Sequence, residues 1–141
     1  MRTIFVSIFL LLSFFGVSQS FFDPSGKLLA RFVGDTVCDG SGHPIGRITN
    51  NKIFDGTGHP IGRVKENIIF DGSDKQIGKI DGTNLLDGSG KQIWKINGDN
   101  VVDGSGAHIG STENLKRMQV VIFLYYFYYH NPRIPLLINP L

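Results

Sequence analysis

The sequence predicts an all-β protein built from tandem 16-residue repeats, each folding into a short antiparallel hairpin. Three observations carry that expectation. Asp-Gly recurs at Asp39, Asp55, Asp71, Asp87 and Asp103 with 16 residues between neighbours, and a degenerate copy begins at Asp23. Gly is abundant at 18 of 141 residues, as a chain rich in tight turns requires. Apolar residues return in fixed columns that are rich in β-branched side chains, which is strand chemistry.

The domain organisation begins with residues 1–20. Met1 and Arg2 give a short basic start, Ile4 to Phe15 form an almost unbroken apolar run, and Gly16 to Ser20 are mostly small. This is the pattern of a secretory signal peptide, with cleavage expected after Ser20. The apolar run is shorter than the roughly 20 residues that a membrane-spanning helix needs. The chain is therefore expected to be exported: secreted, periplasmic or attached to a bacterial cell envelope. No cysteine follows the apolar run to carry a lipid, and Cys38, the only cysteine of the chain, has no partner for an intramolecular disulfide.

The repeats occupy the next region, residues 21–129. Each copy holds two kinds of turn. The first is Asp-Gly-Ser/Thr-Gly, whose side chains can bond nearby backbone N–H groups. The second falls at Val33–Thr36, Thr49–Lys52, Lys65–Ile68, Asp81–Asn84 and Asn97–Asn100. Two turns of about four residues leave two strands of about four in each copy. A lone hairpin cannot bury its apolar face, so successive copies must pack side by side. Closing the row into a ring removes the exposed edges, and an open β-solenoid is the alternative.

Aligned on the Asp, the copies read FFDPSGKLLARF, VCDGSGHPIGRI, IFDGTGHPIGRV, IFDGSDKQIGKI, LLDGSGKQIWKI and VVDGSGAHIGST. With the leader and the short aromatic-rich C-terminus, this pattern resembles the five-fold β-flower proteins. The resemblance implies five hairpins, at about 28–38, 44–54, 60–70, 76–86 and 92–102, arranged as petals of a shallow five-fold symmetric barrel. The partial copies at Asp23 and His108 would close it. It also implies no established enzymatic activity, and no cofactor is expected. Trp94 departs from the pattern, where four of the other copies carry Gly46, Gly62, Gly78 and Gly110.

The C-terminal segment from Met118 to Tyr129 is the most apolar part after the leader. Its β-branched and aromatic content points to a strand that packs into, or plugs, the ring. A strip that touches lipid or a partner is the alternative. Residues 130–141, with Pro132, Pro135 and Pro140, read as an extended tail.

Function is less legible than fold. A formal charge of +2 lacks the clustered basic excess that nucleic-acid binding requires. In a ring, Arg31, Arg47, Arg63, Lys79 and Lys95 become one circle of positive charge, a candidate site for an anionic group such as an acidic glycan. Bases paired with neighbouring aspartates, or simply solvated, are the plainer expectation. Trp94 is a candidate stacking platform or a packing residue. One Asp per turn supplies too few oxygens for calcium, and His43, His59 and His108 lack the further ligands that zinc needs. Cys38 shares a column with Phe54, Phe70 and Leu86 and reads as core, and no catalytic set is identifiable. The expectation is a non-enzymatic exported module that binds or builds part of the envelope. A membrane-associated protein working through its aromatic C-terminus is the alternative.

Overall fold

The computed structural model describes residues 19–128, and the tail expected over residues 130–141 lies outside them. Twelve strands form one closed antiparallel barrel in which each strand pairs with its sequence neighbours and β1 pairs with β12. They are β1 (Gln19–Phe22), β2 (Leu28–Val33), β3 (Thr36–Asp39), β4 (Pro44–Thr49), β5 (Lys52–Asp55), β6 (Pro60–Lys65), β7 (Ile68–Asp71), β8 (Gln76–Asp81), β9 (Asn84–Asp87), β10 (Gln92–Asn97), β11 (Asn100–Asp103) and β12 (His108–Glu113). The five expected hairpins are β2–β3 through β10–β11. The two chain ends supply a sixth petal, in which Ser20, Phe21 and Phe22 face Glu113, Thr112 and Ser111. The ring is thus closed by backbone pairing rather than left as an open solenoid.

The leader expected over residues 1–20 lies outside the described residues up to residue 18. Its last two residues do not. Gln19 and Ser20 belong to β1, and Ser20 pairs with Arg31 on one side and Glu113 on the other. A cut after Ser20 would shorten the closing strand by these two residues and leave Phe21 and Phe22 to pair with Thr112 and Ser111.

Two turn chemistries alternate around the ring. The two-residue hairpin loops use backbone twists that match the strands. Asn50–Asn51 and Glu66–Asn67 have positive φ at both residues, as a type I′ turn demands, whereas Gly34, Gly82 and Gly98 open their loops with φ of 61°, 65° and 64°, the type II′ form. At the opposite end each Asp-x-Ser/Thr-x loop is organised by its aspartate. Asp55 Oδ1 accepts from the backbone N–H of Thr57 at 2.9 Å, the Thr57 hydroxyl at 2.7 Å and the backbone N–H of His59 at 3.0 Å. Each such loop is flanked by a register shift, such as that between Ile53 and Phe54 just before the Asp55 loop, which is the bulge that bends the strand pair.

The apolar columns divide between two faces. Val37, Ile53, Ile69, Leu85 and Val101 are fully buried and point into the lumen, joined by Phe32, Val64, Ile80 and Ile96. Alternation sends the next column, Phe54, Phe70, Leu86 and Val102, to the outer wall, where it is half-buried. Cys38 belongs to that outer column yet is buried.

A barrel of about eight strands is just filled by its own side chains, and a wider one must enclose something else. Here the chain fills it. After Asn114 to Lys116 the backbone turns inward as helix α1 (Arg117–Ile122) and continues as a π-helical segment (Phe123–Tyr128). The expected C-terminal aromatic strand is therefore a helix, although it does plug the ring. Its edge-free location explains the difference: no barrel strand is left unpaired to receive another, so the segment must satisfy its own backbone, and only a helix does that. Gln119 Oε1 accepts the Lys116 N–H at 2.8 Å at its start, and Arg117 donates to the Gly82 carbonyl on the rim.

The glycine column accommodates this plug. A Cβ on Gly46 would strike the ring of Phe127, one on Gly62 that of Tyr126 and one on Gly78 that of Tyr125. Three consecutive aromatic residues thus address three consecutive petals. An α-helix turns about 100° per residue, while the petals of a six-membered ring are about 60° apart. The looser i→i+5 coil turns less per residue and so comes nearer to the petal spacing than an α-helix does.

Two stability measurements follow. Glu66 holds φ of 49° without the side-chain chemistry that tolerates it. Glu66→Asn, matching Asn50–Asn51, should raise stability by about 0.5–1 kcal/mol in urea unfolding. Nine consecutive plug residues, Val120 to Tyr128, are buried. At roughly 1.5–3 kcal/mol each they outweigh the ~5–15 kcal/mol net stability of a domain. Deletion of residues 118–141 should therefore abolish cooperative unfolding, and a barrel that still melts sharply would refute the structural role of the plug.

Candidate functional site

The lumen is packed rather than open. Trp94 fills the place that glycine leaves empty elsewhere, and its indole stands edge-on to Tyr125 at 5.1 Å and Tyr128 at 6.1 Å between ring centres. Phe21 fills the corresponding space beside Gly110 and meets Phe123 at 4.6 Å. Trp94 is 2% exposed, so it is a packing residue and not a stacking platform for a ligand. The same burial holds the Val120–Tyr128 side chains away from lipid or a partner in the folded protein.

Two tyrosine hydroxyls reach the wall from inside. Tyr125 donates to the Leu86 carbonyl at 2.6 Å, and Tyr126 donates to the Phe70 carbonyl at 2.5 Å, with the Arg63 carbonyl at 3.1 Å. These bonds satisfy polar groups in an aromatic interior. Burial pushes both phenols far above their ordinary range, so they stay neutral donors.

The accessible chemistry is on the outside. Arg31, Arg47, Arg63, Lys79 and Lys95 all lie on the outer wall, each directly across from a member of the outer apolar column: Cys38, Phe54, Phe70, Leu86 and Val102. Their circle is a girdle around the barrel and does not line an opening. The Arg47 guanidinium lies 4.8 Å from the centre of the Phe54 ring, and that of Arg63 lies 4.2 Å from the Phe70 ring. Arg63 Nε also donates to Asp74 Oδ1 at 3.0 Å. The repeated aspartates Asp55, Asp71, Asp87 and Asp103 spend Oδ1 on their own turns, and Arg63 is ion-paired with Asp74 rather than with one of them.

A groove of about 340 Å³ opens on this wall, lined by Lys52, Pro60, Gly62, Arg63, Asp71, Gly72 and Asp74. Sequence alone singled out Arg63 but missed Lys52 and Asp74. The signal was present in the repeat alignment, because Asp74 stands where other copies carry Gly42, Gly58, Gly90 and Gly106. Among the described residues, no three His, Cys, Asp or Glu side chains gather as a metal site would need. His43 and His59 stay with their own turns, 3.7 and 3.9 Å from Asp39 and Asp55.

Closed ring, alternating turns and repeat unit agree with a family model for the 5-fold beta-flower protein, which matches residues 17–129. The chain belongs to the five-fold β-flower family. No curated protein and no solved structure matches it. In this β-flower protein the five contiguous petals of the family pattern are completed by the sixth, formed from the two ends.

The turn aspartates give the β-flower a definite acid response. The Thr57 hydroxyl and the His59 N–H lower the pKa of Asp55, the Ser89 hydroxyl and the Lys91 N–H that of Asp87, and the Lys75 and Ser73 N–H groups that of Asp71. A carboxylate depressed by folding contributes stability above its unfolded pKa, near 3.9. That contribution is lost as pH falls through the folded value. Urea unfolding should therefore show stability constant from pH 7 to about 5 and declining below about pH 4. Asp87→Asn should lose less between pH 5 and 2 than the parent, and an identical decline would refute the assignment.

Proposed function

We propose that this β-flower protein is an exported, non-enzymatic binding module of the bacterial cell envelope that works through its outer wall. The observation that carries the proposal is the filled lumen. The tyrosines and phenylalanines of the plug occupy the space in which a barrel of this width would otherwise hold a ligand. What is left for recognition repeats from petal to petal, a cation set beside an apolar or aromatic side chain. Multiplied shallow sites suit an extended polymer, which gains avidity by touching several petals at once.

The anionic girdle ligand proposed is an acidic glycan of the envelope. Arg47 and Arg63 are the strongest members because their guanidinium groups lie over the Phe54 and Phe70 rings and lose less freedom on binding than an unsupported side chain. Replacing both with Ala should markedly reduce retention of the folded protein on an anionic-glycan column at low salt, with the remainder eluting earlier as salt rises. Unchanged retention would reject the girdle as the binding surface.

A further inference from the structure

We infer that the groove between Lys52 and Arg63 is a subsite for a sugar acid, a hexuronate residue whose carboxylate meets the two cations and whose hydroxyls meet Asp71 and Asp74. This rests on the outer-wall reading above and narrows it to one petal and one chemical class.

Two features of the third contiguous stretch, β5 to β7, are costly for folding and converge on the same groove. Lys52 stands directly across from Arg63 in the strand register, a like-charge pair that destabilises a sheet. The residues equivalent to Lys52 are Thr36, Ile68, Asn84 and Asn100, none of them charged. Asp74 holds φ of 67°, in a turn position where Gly42, Gly58, Gly90 and Gly106 take positive φ at no steric cost and where Asp is tolerated less well than Gly. Neither feature serves the barrel. Both border the groove, where Asp74 is ion-paired with Arg63 Nε and the Phe70 ring lies 4.2 Å from the guanidinium.

A guanidinium fixed through Nε and one face keeps its two terminal nitrogens for a ligand, the fork that suits a carboxylate. Lys52 adds a second charge from the neighbouring strand. The two acids in the lining distinguish the site from a plain anion trap. Asp71 Oδ1 is committed to the N–H groups of Ser73 and Lys75 and Asp74 Oδ1 to Arg63, so each acid has a second oxygen to accept hydroxyl protons. A volume of about 340 Å³ is of the size that holds one small ligand unit. A ligand joining one carboxylate to several hydroxyls matches this mixture, whereas sulfate or a neutral sugar matches only half of it.

The full chain should be titrated with sodium glucuronate, glucose and sodium sulfate at equal ionic strength, following backbone amide shifts. Saturable shifts of Lys52, Arg63, Gly72 and Asp74 with glucuronate, and none of comparable affinity with the other two, are expected. Lys52→Thr and Arg63→Gln should each weaken binding about tenfold or more, and amide spectra report whether each variant remains folded. Asp74→Gly should raise the melting temperature while weakening glucuronate binding, a combination that a purely structural residue would not give. No shift with glucuronate, equal binding of sulfate or glucose, or an Asp74→Gly variant with unaltered affinity would overturn the inference. If the groove fails while the Arg47/Arg63 pair still governs glycan-column retention, only this subsite falls; if both fail, the outer-wall reading falls with it.

Discussion

The constraint on which the rest of the molecule depends is the width of its own lumen. Six petals of short strands close without an edge, but the circle they close is too wide for strand side chains to fill. Val37, Ile53, Ile69, Leu85 and Val101 line the wall and cannot meet across it, so a segment from elsewhere must supply the missing apolar volume. The plug is thus not an accessory. It is the half of the core that the repeats do not encode, and the glycine column is the matching half of the same device.

Seen this way, the irregular residues of the repeat become intelligible as one packing solution. Where a petal has Gly46, Gly62 or Gly78, the plug sends a ring to it, and where it has Trp94, the petal sends a ring to the plug. The petal made from the chain ends uses Phe21 for the same purpose beside Gly110. Five of the six sectors thus receive aromatic volume at this level from one side or the other, and the sixth carries a buried Ala30. The tyrosine hydroxyls add a second condition, because a buried phenol must find an acceptor, and the Leu86 and Phe70 carbonyls provide it at the wall.

These relations explain what could and could not be read from the chain itself. Turn positions and ring closure were legible because each depends on local chemistry repeated many times: an Asx-type loop around Asp55 has the same physics as one around Asp87. Strand length was legible only in part, since one strand of each copy has the expected four residues and the other runs to six. The helical plug was not. Val120 to Tyr128 are apolar on every side, so they carry no 3.6-residue periodicity, and their β-branched and aromatic content favours a strand on local grounds. What decided the matter was non-local, since the closed barrel leaves no edge for a thirteenth strand. Trp94 was ambiguous for a related reason, because a glycine column can mean open space or a neighbour already in place. Among the candidate site residues, Arg63 stood out as one member of a series, while Asp74 showed only as a break in a glycine column and its bearing on Lys52 and Arg63 emerged when the fold placed all three around one groove.

A filled barrel also separates stability from recognition. The inner face is held by residues that must complement one another sector by sector, and substitutions there are felt across the lumen. The outer face has no such obligation, since a change at a residue such as Thr36 or Asn84 leaves the aromatic interior intact. Departures from the repeat that appear outside, and that make folding harder rather than easier, therefore need an explanation other than packing. Asp74 in a left-handed turn and Lys52 opposite Arg63 are two such departures on one patch of wall. Their coincidence, more than the charge of the girdle as a whole, locates where the outer surface has been shaped for something besides its own fold.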